Sequence, residues 1–278
     1  MRLIVFISKK SIIGIIKLSG IISTETRIGS RGGLNLNDLS DSLTKAFLYK
    51  NIKALVLLIN SPGGSPVQSA LIANRIRDLA KEKEIPVYAF VEDLAASGGY
   101  WLSCSADKIF AMESSIIGSI GVITAGFGAV EALKKIGIER RVYSQGKNKG
   151  LLDPFLPEKK EDVKQILTIQ KDLHEQFINW VKKRRGKRLK AKDDILFNAG
   201  VWSGLKAKEL GLIDGIGDYY NVMKNIFGED VKFKDFSKKT SWFKQKFLSN
   251  KLEHGSDYVI NSLMNKIEER VMWSKFGL

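Results

Sequence analysis

Apolar residues along this chain gather into short runs separated by glycine, serine and asparagine, and their period changes from run to run. Residues 12–22 are β-branched and apolar and predict an opening strand. Residues 24–37, rich in Gly, Ser and Asn, predict a loop or lid. The unbroken apolar run 54–59 suits a buried strand, and it ends at the turn Ser61-Pro62-Gly63-Gly64. Over 67–83 the residues Leu71, Ile72, Ile76 and Leu79 recur on one helical face. A strand over 86–91, a small-residue turn at 95–100 feeding a helix, and a strand over 108–112 follow, so the pattern repeats as strand, strand, helix. Beyond it the sequence predicts a helix over 130–136, a short strand near 140–143, and a long helix from near Pro157, a good first-turn residue. The stripe Val163, Ile166, Leu167, Leu173, Phe177 and Val181 gives that helix a packing face. Residues 182–192 are strongly basic and predict a solvated helix end or loop. From about Gly228 basic and aromatic residues interleave, and Val259, Leu263, Ile267 and Val271 then keep the spacing of a closing amphipathic helix.

With 278 residues, the chain is long enough for one sizeable core and an appendage, which the pattern divides at 1–227 and 228–278. A hydrophobic fraction of 44% excludes disorder throughout. The single cysteine, Cys104, excludes an internal disulfide. The net charge of +15 calls either for a solvated basic surface or for an anionic neighbour, of which a lipid surface fits the basic-aromatic tail. No zinc, RNA-binding or helix-turn-helix signature accompanies that charge, so nucleic acid is not expected. No run reaches the roughly 20 apolar residues of a membrane-spanning helix, and residues 3–7 are too short for a signal-peptide core. A peripheral membrane or cytoplasmic location is the expectation. His and Cys form no ligand-like cluster, so neither metal nor cofactor is expected.

Ser97, in Ala95-Ala96-Ser97-Gly98-Gly99-Tyr100, stands where a strand feeds a helix and has the setting of an exposed nucleophile. A serine hydroxyl needs a base to take its proton. His174 lies in a charged helical run and His254 in a polar stretch, neither in a catalytic-looking motif, which leaves lysine, whose pKa falls on burial. The same serine read structurally is a helix cap beside a glycine turn.

Four segments taken together carry a resemblance: residues 60–65 (Asn-Ser-Pro-Gly-Gly-Ser), 95–100, 118–122 (Gly-Ser-Ile-Gly-Val) and 146–149 (Gly-Lys-Asn-Lys). Their order and spacing resemble the signal peptide peptidase A family of serine-lysine proteases. Residues 201–214 resemble a core signature shared with caseinolytic protease subunits and enoyl-CoA hydratases. The resemblance covers roughly residues 10–225. It implies an α/β fold of the caseinolytic protease/crotonase type, a superhelix of ββα repeats, with the basic helical appendage added here. It implies Ser97 as nucleophile and Lys149 as general base, three residues after Gly146, with Lys147 the competing lysine. Ser119 would orient the lysine amine, the N–H groups of Gly64 and Gly98 would hold the oxyanion, and Gly63 and Gly99 would let substrate backbone approach. The implied activity is cleavage of extended apolar peptides such as remnant signal peptides or membrane-protein fragments. The implied assembly is a homo-oligomeric ring or dome, with sites shared between protomers in some members. Two other readings fit the same glycine motifs. One is an acyl-CoA hydratase or isomerase whose Gly-Gly donors polarise a thioester; the other is a non-catalytic scaffold at a membrane.

Overall fold

The computed structural model describes residues 11–24, 33–146, 148–238, 267 and 270–278. In chain order the elements are β1 (Ile12–Ser19), α1 (Leu36–Phe47), β2 (Ile52–Ser61), α2 (Pro66–Lys83), β3 (Val87–Ala96), α3 (Gly98–Ser103), β4 (Lys108–Ala111) and β5 (Ile116–Gly118). They continue with α4 (Val130–Lys135), α5 (Lys160–Arg185), a 3-10 turn (Gly186–Arg188), α6 (Asp193–Leu196), β6 (Val201–Ser203), α7 (Gly204–Glu209), β7 (Gly215–Ile216), α8 (Tyr219–Phe227) and β8 (Lys232–Asp235). The chain divides into two compact units, residues 1–120 with 180–278, and residues 121–179.

The larger unit is built on one sheet with the order β6-β5-β3-β2-β1-β8, to which β4 adds beside β3 and β7 beside β4. Among the described residues every strand pairing is parallel except the antiparallel β5–β6 pair. Parallel strands buried on both faces are apolar at successive positions, and β2 obeys this, with Ala54 through Ile59 all buried. Ile13, Ile15, Ala54, Val56, Leu58 and Phe90 form one cluster with Met223 of α8 and Val231. α2 packs between α1 and α3, α1 packs on β1 and β2, and α3 packs on β2 and β3.

Several elements depart from the pattern-based expectation. α1 begins inside the stretch expected to be loop: Asn35 caps it by accepting from the Asp38 N–H at 2.9 Å, and Leu39, Leu43, Ala46 and Phe47 bury its apolar face. β1 ends at Ser19, and Ile22 instead makes single bridges to Leu34 and Gly64. β3 runs five residues past Val91, because its register slips between the pairs Ile59↔Val91 and Ser61↔Ala95 and lets the polar Glu92-Asp93 project outward. No strand forms at 140–143; Val142 and Tyr143 are exposed and no neighbouring strand pairs them. The basic run is a solvated end only in part: Lys182, Lys183, Lys187, Lys190 and Lys192 are exposed, whereas the arginines turn inward. Arg185 is 2% exposed and its guanidinium bonds the Asp214 carboxylate at 2.7 and 3.2 Å and the Gly211 carbonyl at 2.9 and 3.1 Å. Burial works to raise the Asp214 pKa, but the hydrogen bonds and charge of Arg185 outweigh it and hold that carboxyl below its ordinary value.

Past residue 228, β8 joins the sheet beside β1, with Ile12↔Lys232 through Ile15↔Asp235 in register. Ile267 and Val271 lie in helical turns, while Val259 and Leu263 fall outside the described residues. Among the described residues no helix is long and apolar enough to cross a membrane.

In the smaller unit, α4 buries none of its side chains, and Phe127 and Tyr143 are each 93% exposed. Its internal ties include Ala129 N–H to the Pro154 carbonyl at 2.7 Å, Arg140 to Asp153 at 3.0 Å, and Leu152 N–H to Asp162 at 3.2 Å.

Candidate active site

Ser97 occupies the one-residue joint between β3 and α3, with φ 51° and ψ −122°. That is the positive-φ half of the map, where a residue with a Cβ is strained by about 1–3 kcal/mol. Its side chain caps no helix N–H, and Ser97 is half-buried while Leu94 to Ala96 and Gly98 to Tyr100 are buried. An N-cap serine sits in the β region and accepts from the first turn. Ser97 does neither, which removes the structural explanation for a serine at this joint.

The joint is held from the front by glycine contacts. A Cβ on Gly63 would lie 2.7 Å from Ser97 Cβ, 2.8 Å from Gly98 N and 2.9 Å from Ala96 O, so the 61–64 turn is stacked directly on the Ser97–Gly98 peptide. Gly63 has φ 101° and Gly64 φ 140°, conformations that favour glycine. Ser61 Oγ orders this turn by donating to the Gly20 carbonyl at 2.7 Å and accepting from Gly63 N–H at 3.2 Å. The Gly63 carbonyl accepts from Ile22 N–H and Ser65 N–H donates to the Ile22 carbonyl, both at 2.8 Å. In a strand-like bridge successive peptide groups alternate direction, so Gly64 N–H faces away from Ile22. Gly98 N–H is a first-turn helix donor with no intrahelical partner. A Cβ on Gly99 would meet the Ser61 carbonyl at 2.5 Å, which makes Gly99 a packing glycine between α3 and the end of β2.

Ser119 follows β5 as Ser97 follows β3. The register pairs Ala96 with Gly118, so the two serines are the next residues on adjacent strands. Ser97 N–H donates to the Gly118 carbonyl at 2.9 Å and Ser119 N–H to the Gly200 carbonyl at 2.7 Å. Ser119 also has positive φ, 52°. Ser97, Gly63, Gly64, Gly98, Gly99 and Ser119 thus belong to one constellation. Lys149 lies in the smaller unit, in an exposed turn closed by its own N–H to the Gly146 carbonyl at 3.1 Å. Lys147 falls outside the described residues. Among the described residues no three His, Cys, Asp or Glu side chains could hold a metal ion. A cavity of about 560 Å³ lined by Leu58, Phe90, Glu92, Met112 and Tyr219 includes none of these site residues.

The sequence model of peptidase family S49 matches residues 79–231, more than half of the chain. The chain belongs to peptidase family S49. Its S49 relatives include a candidate signal peptide peptidase SppA of Enterococcus faecium, 32% identical over 86% of this chain and 71% of that protein. A protein named Na(+)/H(+) antiporter NhaA of Brucella melitensis is 43% identical over 96% of this chain. The chain spans only 37% of that protein's length, and the same share of its Brucella abortus counterpart. Among solved structures, a lysine-to-alanine mutant of the 1510-N membrane-bound stomatin-specific protease, in complex with a substrate peptide, has a TM-score of 0.54 at 16% identity. It covers 87% of this chain and 97% of its own, and it shows that the S49 chain shares that mixed α/β fold with a mainly parallel sheet.

Proposed function

We propose that this protein is a serine endopeptidase of the caseinolytic protease/crotonase architecture, with Ser97 as nucleophile and Lys149 as general base. The observation that carries this reading is the strained, uncapped Ser97 at the β3–α3 joint, pinned by Gly63. In the first half-reaction Ser97 Oγ bonds to the scissile carbonyl carbon as its proton passes to the neutral amine of Lys149. Negative charge moves to the carbonyl oxygen, which the N–H groups of Gly64 and Gly98 receive. Collapse expels the peptide amine, which takes the proton back from Lys149, and water then hydrolyses the Ser97 ester by the same steps. The Ser119 hydroxyl accepts from the Lys149 amine and aims its lone pair.

The substrate class is extended apolar peptide, since the motif order matches that of signal peptide peptidases. Apolar side chains left bare in the smaller unit support self-association: Ile123 is 78%, Ile136 67% and Leu167 57% exposed. A second copy of the chain is the occupant of that surface, in a ring or dome. Lys17, Lys232 and Lys234 on the β1–β8 edge, with the net charge of +15, suit an anionic membrane surface; nucleic acid is no part of this reading. The antiporter name of the longer Brucella melitensis relative accords with a place beside membranes.

The test is cleavage of a fluorogenic apolar peptide by the wild type, Ser97→Ala, Lys149→Ala and Lys147→Ala. Ser97→Ala should lose about 10³-fold or more in kcat and Lys149→Ala about 10²–10⁴-fold, with Lys147→Ala unaffected. Turnover that survives Ser97→Ala would return the molecule to the acyl-CoA hydratase or scaffold readings.

A further inference from the structure

α3 is six residues long, so at 1.5 Å per residue its two ends lie only about 9 Å apart. One end carries strained Ser97. The last carbonyls of any helix have no intrahelical donor and must find partners elsewhere. At the other end of α3, backbone N–H groups of Cys104, Ser105 and Ala106 meet the Tyr100, Leu102 and Ser103 carbonyls, while side chains meet the Trp101 carbonyl and those of the exit residues 104–107. Trp180 Nε1 donates to the Trp101 carbonyl at 3.0 Å and stacks its ring on Trp101 with centroids 6.2 Å apart. Arg184 donates through Nε to the Cys104 carbonyl at 2.8 Å and through Nη2 to the Ala106 carbonyl at 2.9 Å. Arg77 reaches the Ser105 carbonyl at 3.1 Å, and Arg188 the Asp107 carbonyl at 2.9 Å. The Asp107 carboxylate accepts from Arg77 at 2.8 Å, from Arg184 at 3.3 Å and from the Val87 N–H at 2.9 Å, which ties the assembly to the start of β3.

Trp180 and Arg184 are four apart and share one edge of α5, and Arg188 comes from the following 3-10 turn, its guanidinium held by the Arg184 and Arg185 carbonyls. A helix of one and a half turns has little rigidity of its own. A strained residue at its end persists only where the surroundings over-determine it. We propose that Trp180, Arg184 and Arg188 are positioning residues: they anchor the rear of α3 so that Ser97 cannot relax out of its positive-φ conformation, and so fix where its hydroxyl and the Gly98 N–H point. Arg184 is the centre of the device, because its planar fork spans two carbonyls and a carboxylate as a lysine ammonium cannot. The inference rests on Ser97 being the nucleophile.

The experiment compares full-length wild type, Arg184→Met, Arg184→Lys, Trp180→Phe and Lys182→Ala, the last on the same helix but paired with Asp193. Four quantities are read well below each variant's Tm: the rate at which a fluorophosphonate probe labels Ser97, kcat and KM on one fluorogenic peptide, Tm, and amide exchange over residues 98–103. Arg184→Met should lose about tenfold to a hundredfold in labelling and kcat with KM within about twofold, and should exchange faster over 98–103. Arg184→Lys should fall between it and the wild type, and Lys182→Ala should match the wild type. If Arg184→Met does not fold, Trp180→Phe, which keeps the stacking and removes one donor, should still slow labelling several-fold at unchanged Tm. Labelling at the wild-type rate in folded Arg184→Met overturns the proposal, as does a loss shared equally by kcat and KM and tracking Tm. A wild type that is not labelled at Ser97 refutes the nucleophile assignment, and unchanged exchange over 98–103 in Arg184→Met refutes the clamp separately.

Discussion

Ser97 and Ser119 are the residues that immediately follow the Ala96↔Gly118 pair on neighbouring parallel strands, and both leave their strands with positive φ, 51° and 52°. Two strained serines side by side tie the proposed nucleophile to the residue proposed to orient its base. Ser119→Ala keeps the strain and loses the hydroxyl; Ser119→Gly loses both. Each should lower kcat by about tenfold or more, while Ser119→Gly alone should gain about 0.5–1 kcal/mol of stability relative to Ser119→Ala. Steady-state kinetics with thermal unfolding on the same two proteins checks this.

Gly63→Ala places a methyl 2.7 Å from Ser97 Cβ and 2.8 Å from Gly98 N, at a backbone with φ 101°. Something in the front wall of the site must move. The variant should be destabilised by at least about 1–3 kcal/mol and should lose labelling at Ser97. Labelling at the wild-type rate by Gly63→Ala would show that the 61–64 turn does not shape the nucleophile.

Burial pushes the Cys104 thiol up to about 11. An unfolded thiol ionises near 8.5, so the folded state holds its proton where the unfolded chain releases it. This contribution is complete below about pH 8.5 and is lost as pH rises towards 11. Denaturant titrations from pH 8 to 11 should show wild type losing more stability than Cys104→Ala. In the folded protein Cys104 should resist maleimide at pH 8.

Asp214 behaves oppositely. Its folded pKa is depressed by Arg185, so its contribution is present above the ordinary aspartate value of about 3.9 and is lost as pH falls below it. Acid unfolding of the wild type should steepen in that window, and Asp214→Asn, weaker at neutral pH, should show a flatter profile. Parallel profiles for the two proteins would remove Asp214 from the acid response.

The exposed apolar side chains of residues 121–179 predict concentration-dependent assembly. Phe127→Asp with Tyr143→Asp should shift sedimentation towards monomer and lower specific activity. A fully active monomer would overturn the oligomer reading.

Much of this architecture was legible because its signals are local. The run 54–59 announces β2, and the glycines at 63, 64, 98 and 118 mark tight approaches. α1 was equally written in the chain, through the Asn35 cap and the spacing of Leu39, Leu43 and Ala46, but the Gly- and Asn-rich segment just before it masked its start. What local pattern does not carry is partnership. The basic run at 182–192 looks solvated throughout because nothing nearby announces that Arg184 and Arg185 will meet carbonyls and carboxylates some 26 to 80 residues away. Likewise 140–143 has the apolar residues of a strand and no neighbour to pair with. The pairing of Ser97 with Ser119 depends on the β3–β5 register, which neither serine's own neighbourhood specifies.

β1 pairs on one side with β2, which follows it closely, and on the other with β8, some 220 residues later. While the chain is being made, the open edge of Ile12–Ile15 therefore waits for almost the entire fold to emerge before Lys232–Asp235 can cover it. A β-branched edge left bare for that long is a template for wrong pairing, and any truncation ahead of residue 232 makes that interval permanent. The edge of β1 is thus closed by four residues, Lys-Phe-Lys-Asp, that lie outside the proposed site.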